Sequence, residues 1–219
     1  MPNPDYRHES DEFCRPVHQF LAQVTLADIE RGLAGYVPEH PATPGLNHAA
    51  VALVIREGTA GPEVLFIERA SRSGDPWSGD IGFPGGKVEE GDGGPREAAE
   101  RETREELDLD LDHARYLGRL ADIVGAHLPV RISCFVYGTG SVGPFSFSDE
   151  VRDAFWVPLA ELVTPTRHVM APVRFGANTF ERPSIRLPVA GKPVLWGITY
   201  RLVMQFLEIM GNHFPPPDP

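Results

Sequence analysis

The sequence predicts an α/β or α+β fold, and three observations carry that reading. Continuously apolar, β-branched runs stand at residues 49–55 and 63–68. Segments of helical period stand at residues 95–107 and 195–210. The two kinds are interspersed along the chain without a repeat, which excludes an all-α bundle and a solenoid.

Taken in order, residues 1–15 are polar and proline-containing and are expected to be poorly ordered. Val17, Phe20, Leu21 and Val24 recur at roughly helical spacing, with Ile29 and Leu33 continuing it and Thr25 and Asp28 available to cap a second short helix. Residues 38–44 form a linker. The runs at 49–55 and 63–68 flank the turn Glu57-Gly58-Thr59-Ala60-Gly61 and are expected to pair as core strands. A loop rich in Gly, Pro and Trp follows and ends in Phe83-Pro84-Gly85-Gly86, and Pro95 then opens a helix to about Leu107. Residues 116–124, 131–137 and 154–157 read as strands, with a helical turn at 159–162. A terminal helix over 195–210 is expected to end at Gly211. The organisation is thus an N-terminal extension (1–47), a domain proper (48–210) and a disordered proline-rich tail (211–219).

Bulk properties narrow the function. The 31 acidic against 20 basic residues give a net charge of −11, which opposes a non-specific grip on nucleic acid or an anionic membrane. Any phosphate this chain handles needs local cations, a first hint of a bound metal. Cys14 and Cys134 stand in no metal-ligand spacing and read as free thiols. No basic-then-apolar leader and no membrane-length apolar run is present, so a cytoplasmic location is expected.

The helix at 95–107 carries the chemistry. At ~100° per residue, Glu102, Glu105 and Glu106 fall on one arc, with Ala99, Thr103 and Leu107 on the neighbouring face. Like charges at these spacings disfavour a helix by roughly 0.2–0.5 kcal/mol per pair. In isolation, the i,i+4 pairs Glu97–Arg101, Glu100–Arg104 and Arg101–Glu105 describe an ordinary solvated helix. The preceding Gly85-Gly86 changes that, because it lets the backbone approach a ligand closely. Loop and helix together make a site for a divalent metal and a phosphate.

Gly86 followed by Arg101-Glu102-Thr103-Arg104-Glu105-Glu106-Leu107 resembles the box of the Nudix hydrolase family, Gly-x5-Glu-x7-Arg-Glu-U-x-Glu-Glu-x-Gly-U, where U is bulky and apolar. Two departures stand out. Fourteen residues rather than thirteen separate Gly86 from Arg101, which puts Asp92 near the first Glu position, and Asp108 occupies the last Gly position. The resemblance implies an α/β/α sandwich with a mixed sheet and hydrolysis of a nucleotide pyrophosphate with Mg²⁺ or Mn²⁺. It implies that Glu102, Glu105 and Glu106 hold the metal with the Gly86 carbonyl, and that Arg101 orients Glu105. Either box glutamate, Glu105 or Glu106, or a carboxylate from a later loop takes the proton of the attacking water. Glu150 is the loop candidate, with an exposed loop acid as the equal alternative. A homodimer is a further expectation.

Leu65-Phe66-Ile67-Glu68-Arg69-Ala70, Gly79, Phe83 to Gly86 and Trp196-Gly197-Ile198-Thr199 resemble the coenzyme A pyrophosphatase branch of that family. The resemblance puts Arg69 and Phe83 at the substrate. Asp75 stands where that branch has Arg, so Arg72 becomes the candidate for the 3'-phosphate of coenzyme A. Trp77 either stacks on a base or anchors its loop, and Thr199 is a candidate helix cap. His127 and His168 read as surface or packed histidines. Nucleotide sugars, dinucleotides and modified nucleoside triphosphates are the alternative substrates, and a binding module without turnover is the reading from another class.

Overall fold

The computed structural model describes residues 21, 23–39, 45–72, 77–125, 129–176 and 178–213. Helix α1 (Leu26–Ala34) leads into strands β1 (Asn47–Gly58), β2 (Gly61–Arg69), β3 (Ile81–Gly82) and β4 (Gly85–Lys87), then helix α2 (Pro95–Leu107). Strands β5 (Arg115–Arg119), β6 (Ile123–Val124), β7 (Val130–Thr139) and β8 (Val151–Pro158) follow, then two 3₁₀ turns, the hairpin of β9 (His168–Phe175) and β10 (Asn178–Ile185), and helix α3 (Gly197–His213).

The main sheet runs β3-β2-β1-β7-β5, with β4 on β1, β6 on β7 and β8 on β2. It is mixed, since β1 and β7 are parallel and the other pairs antiparallel. Both faces are covered, and this explains the continuous apolar runs. Alternate residues of β1, β2 and β7 enter different cores: Leu53, Ile55, Val64, Phe66, Cys134 and Val136 pack with α1 and α3. Ala50, Ala52, Val54, Leu65, Ile67 and Phe135 pack with Ala98, Ala99 and Leu107 of α2. Each large apolar side chain so buried contributes about 1.5–3 kcal/mol.

Several local expectations hold. Thr25 and Asp28 form a reciprocal capping box at the start of α1, and the turn at 57–61 joins antiparallel β1 and β2. Cys134 is free and buried. His168 is packed, its Nε2 2.8 Å from the Leu162 carbonyl. The helix expected around residue 20, the end of the linker, Cys14, His127 and Asp75 lie outside the described residues, as does the tail beyond His213.

The structure corrects five others. The run at 116–124 is two strands, because the chain leaves the ladder at residues 120–122, where the Asp122 N–H donates to the Glu39 carbonyl, and β5 itself carries a register shift at Tyr116/Gly118. There Gly118 takes φ 146°, and a Cβ would stand 2.8 Å from Leu33 Cβ. Helix α3 starts at Gly197 rather than 195, since Leu195 is engaged in a bridge to Ile185. It runs through Gly211 to His213, since Gly211 does not take the left-handed conformation that ends a helix. Thr199 lies inside the helix and lines a cavity instead of capping. Finally, the β9–β10 hairpin arises from residues that gave no strand expectation, because Pro172, Pro183 and exposed charges interrupt its apolar alternation.

Candidate active site

Strand β4 lays the glycine loop along β1, with Gly86 opposite Ala50 and Gly85 opposite Val51. Gly85 has φ 146°, and a Cβ there would collide with the Ala50 carbonyl oxygen, so only glycine fits. Gly86 is required for a different reason: its missing side chain leaves room for Glu102, whose carboxylate occupies the space a Cβ would need. Loop and helix are thus in contact, as the motif implied.

Helix α2 begins at Pro95 behind Gly94 with no side-chain cap. It ends on Asp108 in the left-handed conformation at φ 55°, with the Asp108 N–H donating to the Arg104 carbonyl at 2.8 Å. A short polar residue thereby does what glycine does at the family's position. Ala98, Ala99, Thr103 and Leu107 face the core, and Glu106 is buried with them at 3% exposure. Its carboxylate accepts the Gly85 N–H at 2.9 Å. Burial nonetheless pushes the Glu106 carboxyl up to about 7, the Gly85 hydrogen bond and the charge of Arg69 opposing and Glu102 and Glu150 adding to the rise. Glu102 is likewise raised, first by desolvation and further by Glu105 and Glu150, against the pull of Arg101.

Arg101 is the hub of the loop. It donates to Asp92 (2.9 Å), Glu102 (3.0 Å), Glu105 (2.9 Å) and the Lys87 carbonyl (3.1 Å). Asp92 also accepts the Glu89 N–H at 2.8 Å, so the acid displaced by the one-residue insertion ties the turn to the helix. The other pairs expected on the helix are replaced. Glu97 accepts the Gly93 N–H, Glu100 pairs with Arg96, and Arg104 reaches Asp110 and Asp112.

Glu150 lines the same cavity, two residues after Ser148, whose N–H donates to the Glu106 carbonyl, and is close enough for its charge to act on Glu102 and Glu106. Arg72 holds Glu150 at 2.9 Å and holds Asp149 at 2.6 Å. Arg69 and Phe83 also line the cavity, Phe83 being buried and stacked on Phe66 with ring centroids 5.2 Å apart. Arg72 is not among the lining residues.

The donor set suits a hard divalent cation: oxygen ligands only, with more negative charge than Arg101 neutralises. Among the described residues no three acidic, histidine or cysteine side chains are gathered as ligands, since the Arg101 guanidinium sits between Glu102 and Glu105. The residues fit a metal by chemistry and charge, and holding it requires the exposed Glu105 to turn from Arg101.

The cavity measures about 1020 Å³ and runs well beyond the glutamates. Its other wall includes Phe175, Phe180 and Arg182 of the hairpin, Trp196 and Tyr200 at the head of α3, and Trp77. The Trp196 indole donates to Asp80 at 2.9 Å and so latches α3 to the glycine-rich loop. Phe175, Phe180, Arg182, Tyr200 and His48 were missed from the sequence. The inward alternation of Ala171, Val173 and Phe175 was the one signal that pointed to the hairpin.

A glycine loop held against a carboxylate helix, at the edge of a nucleotide-sized cavity, is an arrangement suited to phosphoanhydride hydrolysis. The family model described as NUDIX domain matches residues 46–177, and the chain belongs to the Nudix family as a pyrophosphohydrolase. That family works with divalent metal ions and nucleotide pyrophosphates. Among curated proteins, the chain is 30% identical over 183 residues to human mitochondrial coenzyme A diphosphatase NUDT8, covering 82% of this chain and 75% of that one. It is 36% identical over 115 residues to the uncharacterized protein C14C4.10c of Schizosaccharomyces pombe, 49% of this chain but 35% of that protein's length. Among solved structures, the NUDIX domain of Shewanella oneidensis NrtR, complexed with ADP ribose, matches with TM-score 0.51 and 19% identity over 84% of this chain and 98% of that one. That likeness concerns the fold. No described helix is long and apolar enough to cross a membrane.

Proposed function

We propose that this enzyme hydrolyses the diphosphate of coenzyme A or a derivative, using Mg²⁺ or Mn²⁺. The observation that carries the chemistry is the contact of Gly86 with Glu102, both lining one cavity with Glu105, while the buried Glu106 is bonded to Gly85 behind them. Coenzyme A is favoured among diphosphates by the name of the human relative, by the resemblance of Arg69-Ala70, Phe83 to Gly86 and Trp196 to Thr199 to the coenzyme A pyrophosphatase branch, and by a cavity at the upper end of ligand-site volumes.

Glu102, Glu105 and Glu106 would hold the metal, joined by the Gly86 carbonyl. When bound, it would neutralise the diphosphate oxygens and lower the pKa of the attacking water. Glu150 takes the proton of that water, held in place by Arg72. Arg101 positions Glu102 and Glu105, and Arg69 and Lys87 add cationic charge on the phosphate side. The new P–O bond forms from water as the anhydride bond breaks, giving phosphopantetheine and adenosine 3',5'-bisphosphate. The low dielectric around Glu106 strengthens each of these charge interactions relative to water.

One observation favours a second reading, a different nucleoside diphosphate derivative: the expected 3'-phosphate reader, Arg72, is already bound to Asp149 and Glu150. A hydrolysis panel with Mg²⁺ separates the two. Coenzyme A is expected to be cleaved with a higher kcat/KM than ADP-ribose, dinucleotides or nucleotide sugars. Preference for any of these over coenzyme A would leave only the general pyrophosphohydrolase.

A further inference from the structure

With Arg72 engaged elsewhere, the wall opposite the glutamates carries a cation with no carboxylate partner among the described residues. In the β9–β10 ladder Phe180 lies opposite Val173 and Arg182 opposite Ala171. Cross-strand partners share a face, and Val173 and Ala171 are buried at 4% and 6% exposure. Phe180 and Arg182 therefore belong to the inward face, half-buried and lining the cavity, while Arg174 and Glu181 are exposed on the other face. The Arg182 guanidinium carbon lies 5.0 Å from the Phe180 ring centroid, and its Nη1 donates to the Glu181 carbonyl at 3.2 Å. Among the described residues no acid lies within ion-pairing distance of it.

Arg101 beside the glutamates, and Arg72 behind Glu150, are by contrast each engaged with carboxylates. In a chain of net charge −11, an inward arginine facing a phosphate-processing cavity without an acid is set to receive an anion from the ligand. The guanidinium stacked on an aromatic ring keeps its fork of donors directed while presenting a planar surface beside it. Phe180 and Arg182 also lie beyond residue 177, where the family's common part ends.

We propose that Arg182 and Phe180 form a second subsite, in which Arg182 binds a phosphomonoester of the substrate remote from the bond cleaved and Phe180 packs on the adjoining base. It rests on the coenzyme A reading for the identity of that group, the 3'-phosphate. Titration calorimetry of the full chain with Mg²⁺ compares adenosine 3',5'-bisphosphate with AMP. The wild type is expected to bind the bisphosphate at least about 10-fold more tightly, the size of one charge-assisted contact. Arg182→Ala brings the ratio near one, Arg182→Lys keeps part of it, and Arg174→Ala, which removes the same charge from the outer face, keeps all of it. A melting curve checks that Arg182→Ala is folded. A ratio near one in the wild type, or an unchanged ratio in folded Arg182→Ala, overturns the subsite. Hydrolysis of coenzyme A against its dephospho form is the second readout. If coenzyme A is cleaved but the KM ratio ignores Arg182, the subsite falls and the substrate stands. If coenzyme A is not cleaved but the bisphosphate ratio depends on Arg182, the subsite stands and the substrate falls.

Discussion

The two walls of the cavity are built differently. The glutamate wall comes from one short stretch, residues 85–106, in which a strand, a turn and a helix follow one another and pin each other through Arg101 and Asp92. The opposite wall is gathered from a loop at Trp77, a hairpin at 168–185 and the head of α3. It is fastened by side chains far apart in sequence: Trp196 to Asp80, and Lys192 to Glu68 and Asp153. On the proposed roles, chemistry that demands fixed carboxylates is housed where covalent spacing fixes them, and recognition is housed where insertion and substitution disturb those carboxylates least.

If that division is right, substitutions on the first wall act on turnover. Glu105→Gln and Glu106→Gln are each expected to lower kcat by at least ~10²-fold through lost metal charge or lost proton transfer. In Glu106→Gln the amide oxygen still accepts the Gly85 N–H, so circular dichroism should report an intact fold, and full activity with Mg²⁺ would remove these residues from the site. Gly86→Ala is the next largest effect. The new methyl displaces the mobile end of Glu102 rather than backbone, so roughly a 10-fold or greater loss of kcat is expected with little change in melting temperature. A large drop in stability instead would mean that Gly86 serves packing alone.

On the other wall, Phe180→Ala should raise KM by about 2–10-fold and leave kcat nearly unchanged, as lost ring contact predicts. A kcat effect of that size would erase the contrast between the walls. Lys192→Met leaves the buried Glu68 with Arg152 as its remaining ion-pair partner and should cost roughly 1–3 kcal/mol in urea unfolding. An unchanged midpoint would show that this tether is dispensable.

The smallest effect concerns His48 at the cavity's rim, with Nδ1 2.8 Å from Arg131 and Nε2 2.9 Å from Ser133, which donates to Asp122. Desolvation first, then Arg131 and Arg119, hold its pKa below the ordinary 6.5, with Asp122 opposing. The unfolded chain therefore takes up this proton at higher pH than the folded one. The contribution of neutral His48 is complete above about pH 6.5 and is lost as the pH falls toward the folded-state pKa. Melting temperatures from pH 8 to 5.5 should fall less in His48→Gln than in the wild type, and parallel profiles would contradict the assignment.

The core strands, the carboxylate helix and the contact of Gly86 with it were legible because they depend on local periodicity and on a motif only a few turns long. Asp108 looked like a defect, but it takes the left-handed geometry of the glycine it replaces. The hairpin was not legible, since its prolines and charges mask the alternation and its burial comes from partners distant in sequence. The partners of Arg72 were not legible for a related reason. Proximity in sequence pointed Arg72 at the substrate, while the fold brought it Asp149 and Glu150.

By itself the sequence determined the register of Glu102, Glu105 and Glu106 on one helical arc and the glycines that let a backbone meet them, because 3.6 residues per turn and the absence of a Cβ are properties of the chain alone. Only the tertiary structure decided what faces those glutamates. The burial that raises Glu106, the capture of Arg72 by Glu150 and the inward turn of Arg182 all depend on segments that packing brings together, and no local spacing specifies such neighbours.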